Sequence, residues 1–161
     1  DTNNLKKQDK ETIIIYRNYA SKNIDITKLI KLKKFLRKQG NKLFIANNFK
    51  LALKLGLDGI YIPSFNKDFY HLAYSTTLNF EIVGSAHNLK EIRTKELQKV
   101  QKIFISSLFK KNKNYLGLNK FKILKKFTKK EVIALGGISS RNIKKIHLAK
   151  ISSIAGISYF K

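Results

Sequence analysis

The chain has 161 residues, enough for one ordinary domain and too few for two, so we expect a single domain over residues 1–161. It has no Cys, and its three His are far apart in the sequence, which excludes disulfides, thiolate metal sites and His-rich metal sites. No apolar run approaches the roughly 18 to 20 residues that cross a bilayer. Because no charged-then-apolar leader precedes the first apolar segment either, we expect a soluble, cytoplasmic protein with no membrane partner.

The formal net charge of +24 by itself favours nucleic acid or another acidic surface as the partner. Only four of the 34 basic residues are Arg, although the guanidinium group is the one best suited to base and bidentate phosphate recognition. The Lys residues are spread along the whole chain among many Asn and Ile residues. This distribution indicates a compositional bias on solvated faces, so we do not expect nucleic acid to be a partner.

Apolar runs of strand length alternate with segments of helical periodicity along the chain. In chain order these patterns predict a strand at Thr12–Tyr16, a helix at Ile26–Gln39, a strand at Leu43–Ala46, a helix at Phe49–Leu55, a strand at Gly59–Ile62, a helix at Lys67–Ser75, a strand at Glu81–Gly84, a helix begun by Asn88 as N-cap with Glu91 three residues on, a strand at Ile103–Ser106, a polar loop at Lys110–Asn114, a helix at Asn119–Phe127, a strand at Val132–Leu135, a helix at Arg141–Leu148 and a strand at Ile154–Ile157.

Strict alternation of this kind implies parallel strands joined by right-handed helical crossovers. The strands read as continuous apolar runs, as expected when both faces of a sheet are buried. A Gly-rich phosphate fingerprint is absent after the first strand, and small-residue turns instead follow the last two, which favours a TIM-type barrel over an open doubly wound sheet. Since such a barrel has eight strands, we expect its first strand to lie upstream of the sequence and the helix after the last strand to be absent.

Four segments of the chain stand in register with those of a known family. They are NKLFIANNFKLALKLGLDGIYI at Asn41–Ile62, VGSAH at Val83–His87, IALGGISSRNI at Ile133–Ile143 and AGISYF at Ala155–Phe160. Together they resemble the thiamine phosphate synthase and TenI family. The resemblance covers nearly the whole chain. The TenI branch, an aromatising isomerase, has a His where Ser106 and Ser107 stand here, so the synthase branch is the better match.

The resemblance implies a transferase that couples a hydroxymethylpyrimidine diphosphate to a thiazole phosphate and releases pyrophosphate, with Mg²⁺ as cofactor. Its partners are then small phosphorylated substrates. The second phosphate calls for backbone N–H groups in turns without an obstructing Cβ. The resemblance assigns this role to Gly136, Gly137, Gly156, Ile157 and Ser158.

The pyrophosphate grip of the family corresponds to Ile15, Arg17 and Tyr19, of which only Arg17 keeps the family residue type. Ser85 matches a family Ser that contacts the pyrimidine diphosphate, so the resemblance gives Arg17 and Ser85 the catalytic roles. In the Lys110–Asn114 loop the family threonines are missing but positive charge remains, which makes Lys111 and Lys113 candidates for binding the anion. His87 is expected to be a structural loop histidine.

Asn47 keeps the family's substrate-binding Asn after its strand, whereas the two acidic metal ligands of the family correspond to Asn48 and Asn66. A neutral amide oxygen binds Mg²⁺ more weakly than a carboxylate does. Asn48 also suits a helix N-cap before Phe49, and Asp68 is near enough in sequence to Asn66 to replace the lost charge. Three functions therefore stay open: a working transferase, a catalytically reduced relative that binds phosphorylated thiazole or thiamine phosphate, and a basic nucleic-acid-binding protein, which only the net charge supports.

The candidate residues all follow predicted strands, at the end where the loops of a barrel build its active site. We therefore expect them at the carboxyl ends of parallel strands. They are Arg17, Asn47, Ser85, Ser106, Gly136 and Ser158.

Overall fold

A computed structural model describes residues 12–18 and 24–156 of the chain. Within these ranges the fold is the expected α/β fold of the TIM-barrel type, in which parallel strands alternate with helices. The described strands follow one another in sequence order, β1-β2-β3-β4-β5-β6-β7. A search of the same ranges for a helix long and apolar enough to cross a bilayer finds none.

The elements have the following bounds. In chain order they are β1 (Ile13–Tyr16), α1 (Ile26–Lys38), β2 (Lys42–Ala46), α2 (Phe49–Lys54), β3 (Gly59–Ile62), a 3₁₀ turn (Tyr70–Ala73), β4 (Glu81–Ala86), α3 (Leu89–Leu97), β5 (Lys102–Ser106), α4 (Gly117–Lys126), β6 (Glu131–Leu135), α5 (Ile143–Leu148) and β7 (Ser153–Ala155).

Most predicted elements are confirmed to within two residues, but the predicted helix at Lys67–Ser75 is wrong. Only the 3₁₀ turn Tyr70–Ala73 forms there. The reason is that the backbone before this turn is bonded elsewhere: the carbonyl oxygens of Asn66 and Asp68 accept hydrogen bonds from the Gln98 side chain, and the Asn66 side chain accepts from the Asp68 N–H. These groups therefore do not enter a helical ladder.

The strand expected upstream of Thr12 and the missing helix after β7 both concern residues outside the described ranges. The chain divides into two compact units, one made of Asp1–Ile62 and Phe69–Ile82, the other of Pro63–Asp68 and Val83–Lys161. The single domain expected over residues 1–161 therefore stays a prediction.

The first unit contains β1, β2 and β3 with α1 and α2. Leu29 and Leu36 of α1 are buried, as the helical spacing of its apolar residues predicts. Phe49 at the start of α2 packs against Tyr74 and Phe80, with ring centroids 5.3 and 5.4 Å apart. This aromatic contact fixes the segment after the 3₁₀ turn on α2.

The second unit contains most of β4 together with β5, β6 and β7. The register pairs Ser85 with Phe104 and Ser106 with Leu135. The helices α3, α4 and α5 each bury one large apolar side chain completely, and these are Ile92, Phe121 and Ile146. The order strand, helix, strand places the carboxyl ends of β4, β5 and β6 at one edge of this unit.

Candidate active site

Two candidate hydroxyls lie at the carboxyl ends of β4 and β5. Ser85 is one residue from the end of β4 and 4% exposed, and Ser106 ends β5 and is 8% exposed. Residues paired in register share a face of a sheet, and side chains alternate along each strand. Ser85 therefore shares its face with Phe104 and, two residues on, with Ser106.

The opposite face of β4 lies against α3. A Cβ added to Gly84 would stand 2.7 Å from Cδ of Lys95, so the Gly84 position faces the α3 side chains. Ser85, the next residue, points away from α3. This is the orientation that a barrel uses for residues that meet a ligand, since the helices cover the other face.

The glycine turn after β6 carries the loop that follows β5. The N–H groups of Phe109 and Lys110 both donate to the Gly136 carbonyl oxygen, at 2.8 and 3.3 Å. Gly136 and Gly137 have φ values of 105° and 72°, a region that favours glycine. A Cβ on Gly137 would lie 2.5 Å from the Lys110 nitrogen. The glycines are thus required by the loop that packs on them, whether or not they also bind a phosphate.

The loop from Ser107 to Leu116 is closed at its base by Ser107. The Ser107 N–H donates to the Asn114 carbonyl, and the Leu116 N–H donates to the Ser107 carbonyl, both at 2.9 Å. The Ser107 hydroxyl also donates to the Lys110 carbonyl. Lys111 and Lys113 are exposed between these anchors. The loop therefore presents two cations from a base that is fixed by the backbone.

The chain beyond the glycine turn is held by Asn142. Its side-chain N–H₂ donates to the Gly137 carbonyl at 2.8 Å, and its Oδ1 accepts from the Ser139 N–H at 3.0 Å. Gly156 follows β7, whereas Ile157 and Ser158 lie outside the described residues. The phosphate role assigned to these three positions by the resemblance stays a prediction.

In the first unit, the candidates also stand at strand ends. Arg17 directly follows β1 and is exposed. Asn47 follows β2 with a φ of 57°, a conformation that Asn tolerates better than most residues, and its N–H donates to the Tyr61 carbonyl at 2.9 Å. Ile15 is half-buried within β1, and Tyr19 lies outside the described residues.

The N-cap interpretation of Asn48 is confirmed. Its Oδ1 accepts from the Leu51 N–H at 3.1 Å and begins α2. In the second unit, the Asn66 Oδ1 accepts from the Asp68 N–H at 2.7 Å. Each amide oxygen that the resemblance offers to a metal is therefore already bonded to the backbone.

The described residues do not fit a metal site held by the protein alone. Over residues 12–18 and 24–156, three or more His, Asp or Glu side chains are nowhere grouped so that they could bind an ion. A hard cation such as Mg²⁺ needs anionic oxygens to replace its water. The side chains of the described residues do not form such a cluster, so they do not by themselves fit a magnesium site.

The N-terminus of α3 forms the predicted cap. Asn88 Oδ1 accepts from the Glu91 N–H at 2.9 Å, and the Glu91 carboxylate accepts from the His87 N–H and contacts its Nδ1 at 2.7 and 2.9 Å. His87 is thereby tied to the capping network, in agreement with the structural role expected for it.

Two polar residues that the sequence analysis missed lie under the loop after β3. Lys95 and Gln98 on α3 and at its C-cap are both fully buried. Burial lowers the pKa of Lys95 to about 8, although the charge of Glu91 partly opposes this shift. Their spacing in the sequence indicated this burial, because Lys95 and Gln98 follow the buried Ile92 at intervals of three and so lie on the same face of the helix.

The family model for thiamine monophosphate synthase matches residues 5–160 of the chain. Thiamine-phosphate synthase of Methanococcus vannielii is 25% identical over 134 residues, covering 80% of this chain and 64% of that protein. The Methanococcus maripaludis protein of the same name is 24% identical over 132 residues, covering 80% of this chain and 63% of its own length. The chain thus spans slightly less than two thirds of these relatives.

Among solved structures, thiamine phosphate pyrophosphorylase from Pyrococcus furiosus superposes with a TM-score of 0.71 at 20% identity, over 91% of this chain and 72% of that one. At that identity the likeness establishes the fold alone. The family match, in contrast, extends over nearly the whole sequence and includes the strand-end segments described above. The chain belongs to the thiamine monophosphate synthase family.

Proposed function

We propose that the chain is a transferase that joins a hydroxymethylpyrimidine diphosphate to a thiazole phosphate. In this reaction the C–O bond between the pyrimidine methylene and the diphosphate breaks, pyrophosphate leaves with the electron pair, and a C–N bond forms to the thiazole nitrogen. Family membership supports the reaction class. The observation that carries the proposal is the Lys110–Asn114 loop, which is anchored on the Gly136 carbonyl.

The charges of the second unit suit a ligand with two phosphate groups. Lys111 and Lys113 present exposed ammonium groups on a fixed loop base, and an ammonium ion is a strong hydrogen-bond donor to phosphate. Ser85 and Ser106 add hydroxyl donors on the face that points away from α3. We propose that the loop lysines stabilise the leaving pyrophosphate and that the hydroxyls orient the diphosphate.

Mg²⁺ remains part of the proposal only as an ion brought by the substrate. Since Asn48 and Asn66 offer only neutral amide oxygens, each already accepting a backbone N–H, we propose that pyrophosphate oxygens recruit the ion. We expect weak Mg²⁺ binding by the free protein and stronger binding when pyrophosphate is present.

A second candidate function is binding without turnover. Asn48 and Asn66 favour this function. Both stand where the family resemblance places acidic metal ligands, and the amide oxygen of each accepts a backbone N–H. A protein of this kind binds thiazole phosphate or thiamine phosphate and releases no pyrophosphate. An assay of pyrophosphate release, run beside a binding assay, separates the two functions.

The test is isothermal titration with thiamine phosphate and with pyrophosphate, each with and without Mg²⁺. The variant Lys111→Gln with Lys113→Gln should weaken pyrophosphate binding by about tenfold or more, since hydrogen bonds to charged groups contribute roughly 1.5–3 kcal/mol each. The control is Lys125→Gln with Lys126→Gln, which removes the same charge from the exposed face of α4. Equal losses in both variants would point to non-specific attraction by net charge and would overturn the proposal.

A further inference from the structure

The loop after β3 is held from below by two buried side chains of the same unit. The Lys95 ammonium donates to the carbonyl oxygens of Pro63 and Asn66, both at 2.8 Å, and to Oε1 of Gln98 at 2.7 Å. The Gln98 amide donates to the carbonyl oxygens of Asn66 and Asp68, at 3.2 and 2.7 Å. We name Lys95 and Gln98 together the Lys95–Gln98 clamp.

The hydrogen-bond count of the clamp is complete. An ammonium group has three donors, and Lys95 uses all three within 2.8 Å. The carbonyl oxygen of Asn66 accepts from both clamp residues, so both of its lone pairs are used. The Pro63 carbonyl accepts from Lys95 and also from the Asn66 N–H at 3.1 Å. The four bonds from Lys95 and Gln98 to these carbonyl oxygens and to that of Asp68 hold the backbone of the loop.

This arrangement is costly for a loop that only needs to be covered. Lys95 has no exposed surface, and moving an ammonium group out of water costs several kcal/mol even after relaxation. Its hydrogen-bond partners are neutral oxygens, so no carboxylate in direct contact offsets the charge. An apolar side chain would cover the loop without this cost but would leave the carbonyl positions unspecified.

The bonds from the clamp to the loop go to backbone carbonyl oxygens. Asn66 and Asp68 are two residues apart in the loop that follows the carboxyl end of β3. In this fold the loops at that end of the strands carry the site residues. Asp68 is exposed, and the short Asn66 to Asp68 contact sets the turn between them. The position of both side chains therefore depends on the carbonyls that the clamp holds.

We propose that Lys95 and Gln98 are positioning residues, which hold the Pro63–Asp68 loop so that the Asp68 carboxylate, together with pyrophosphate oxygens, meets the cation that accompanies a phosphorylated ligand. The proposal rests on the proposed function, because it needs such a ligand. It adds a pair of residues to the site that lie beneath the loop and touch no ligand themselves.

Two variants remove different parts of the clamp. Lys95→Met keeps the length of the side chain and removes three hydrogen bonds. Gln98→Glu keeps the size of the side chain but replaces the amide that donates to the loop. It therefore removes both loop contacts of Gln98 and leaves Lys95 an acceptor, now a carboxylate. Lys90→Met is the matched control, since Lys90 is an exposed Lys on the same helix.

Each variant is measured by hydrogen exchange of residues 63–68, by isothermal titration with pyrophosphate plus Mg²⁺ and with thiamine phosphate, and by its melting temperature. We expect Gln98→Glu and Lys95→Met to speed exchange of the loop and to weaken pyrophosphate binding by about tenfold, the equivalent of one lost charge-assisted hydrogen bond. Lys90→Met should change neither.

The outcomes distinguish this proposal from the proposed function. Faster loop exchange with unchanged affinity in a folded Gln98→Glu variant would make the clamp purely structural and overturn the inference. Unchanged hydrogen exchange of residues 63–68 would show that the clamp does not hold the loop, which would also overturn the inference. A wild-type protein that binds neither pyrophosphate nor thiamine phosphate would overturn the proposed function and the ligand role of the clamp together. If Lys95→Met does not fold, Gln98→Glu alone decides.

Discussion

Gly137 lies so close to the backbone of Lys110 that a Cβ on the glycine would stand 2.5 Å from the Lys110 nitrogen. The loop after β5, which carries Lys111 and Lys113, therefore packs directly on the glycine turn after β6, and backbone hydrogen bonds join the two. A substitution of Gly137 acts first on this packing, and any loss of phosphate binding would be a consequence of it.

Gly137→Ala should destabilise the protein more than Gly117→Ala. Both positions have positive φ, 72° and 64°, so the conformational strain of about 1–2 kcal/mol is common to both. At Gly117 the added Cβ meets only the Tyr115 side chain at 3.3 Å, whereas at Gly137 it meets backbone. The extra clash should add roughly 1–3 kcal/mol. Urea denaturation measures the difference, and equal losses would show that the loop does not pack as described.

Asn48→Asp should strengthen Mg²⁺ binding in the presence of pyrophosphate and leave the fold intact. Aspartate is as good an N-cap as asparagine, so the bond to the Leu51 N–H is kept while the second carboxylate oxygen becomes available. Asn48→Ala measures the cap alone and should cost about 1 kcal/mol of stability. Titration with Mg²⁺ at fixed pyrophosphate tests the metal effect. Equal Mg²⁺ affinity in Asn48→Asp and wild type would remove Asn48 from the candidate metal residues.

The free energy of unfolding should rise with pH between about 8 and 10.5 because of Lys95. Burial lowers its pKa in the folded state from 10.5 to about 8, so the unfolded chain holds this proton more tightly. The penalty is fully present below pH 8 and disappears above pH 10.5. At about 1.4 kcal/mol for each pKa unit it amounts to at most about 3 kcal/mol. Other Lys and Tyr residues titrate in the same range. The measured quantity is therefore the free energy of unfolding of wild type minus that of Lys95→Met, which should increase with pH.

Thr128→Val should destabilise the protein near neutral pH and less so in acid. Burial by itself raises the pKa of Glu96, but the hydrogen bonds from Thr128 and Arg93 and the charges of Arg93 and Lys130 outweigh it and hold the pKa below 4.5. This stabilisation is present above pH 4.5 and is lost as the pH falls through the folded pKa. The lost bond to a charged group should cost about 1 kcal/mol at pH 7. Urea unfolding at pH 7 and pH 3.5 compares the two states, and a difference that does not shrink in acid would contradict the assignment.

The order and type of the elements were determined by the sequence itself. Apolar runs such as Gly59–Ile62, which forms β3 with the predicted bounds, are short and unbroken because both faces of a parallel strand are buried. The Asn88 cap and the Asn48 cap were also readable, since each side chain bonds an N–H only three residues away. Contacts between residues so close in the chain depend on the local sequence, so they can be predicted from it directly.

Tertiary structure decided the contacts between distant residues. The helix predicted at Lys67–Ser75 is absent because Gln98, 30 residues from Asp68, bonds to the loop carbonyls that its first turn would use. The Gly136–Gly137 pair is read from the sequence as a phosphate turn, yet a Cβ on Gly136 would also meet Ser107, and one on Gly137 would meet the backbone of Phe109 and Lys110. In both cases the deciding partner belongs to another element, and the free energy of that contact exceeds the local preference of the segment.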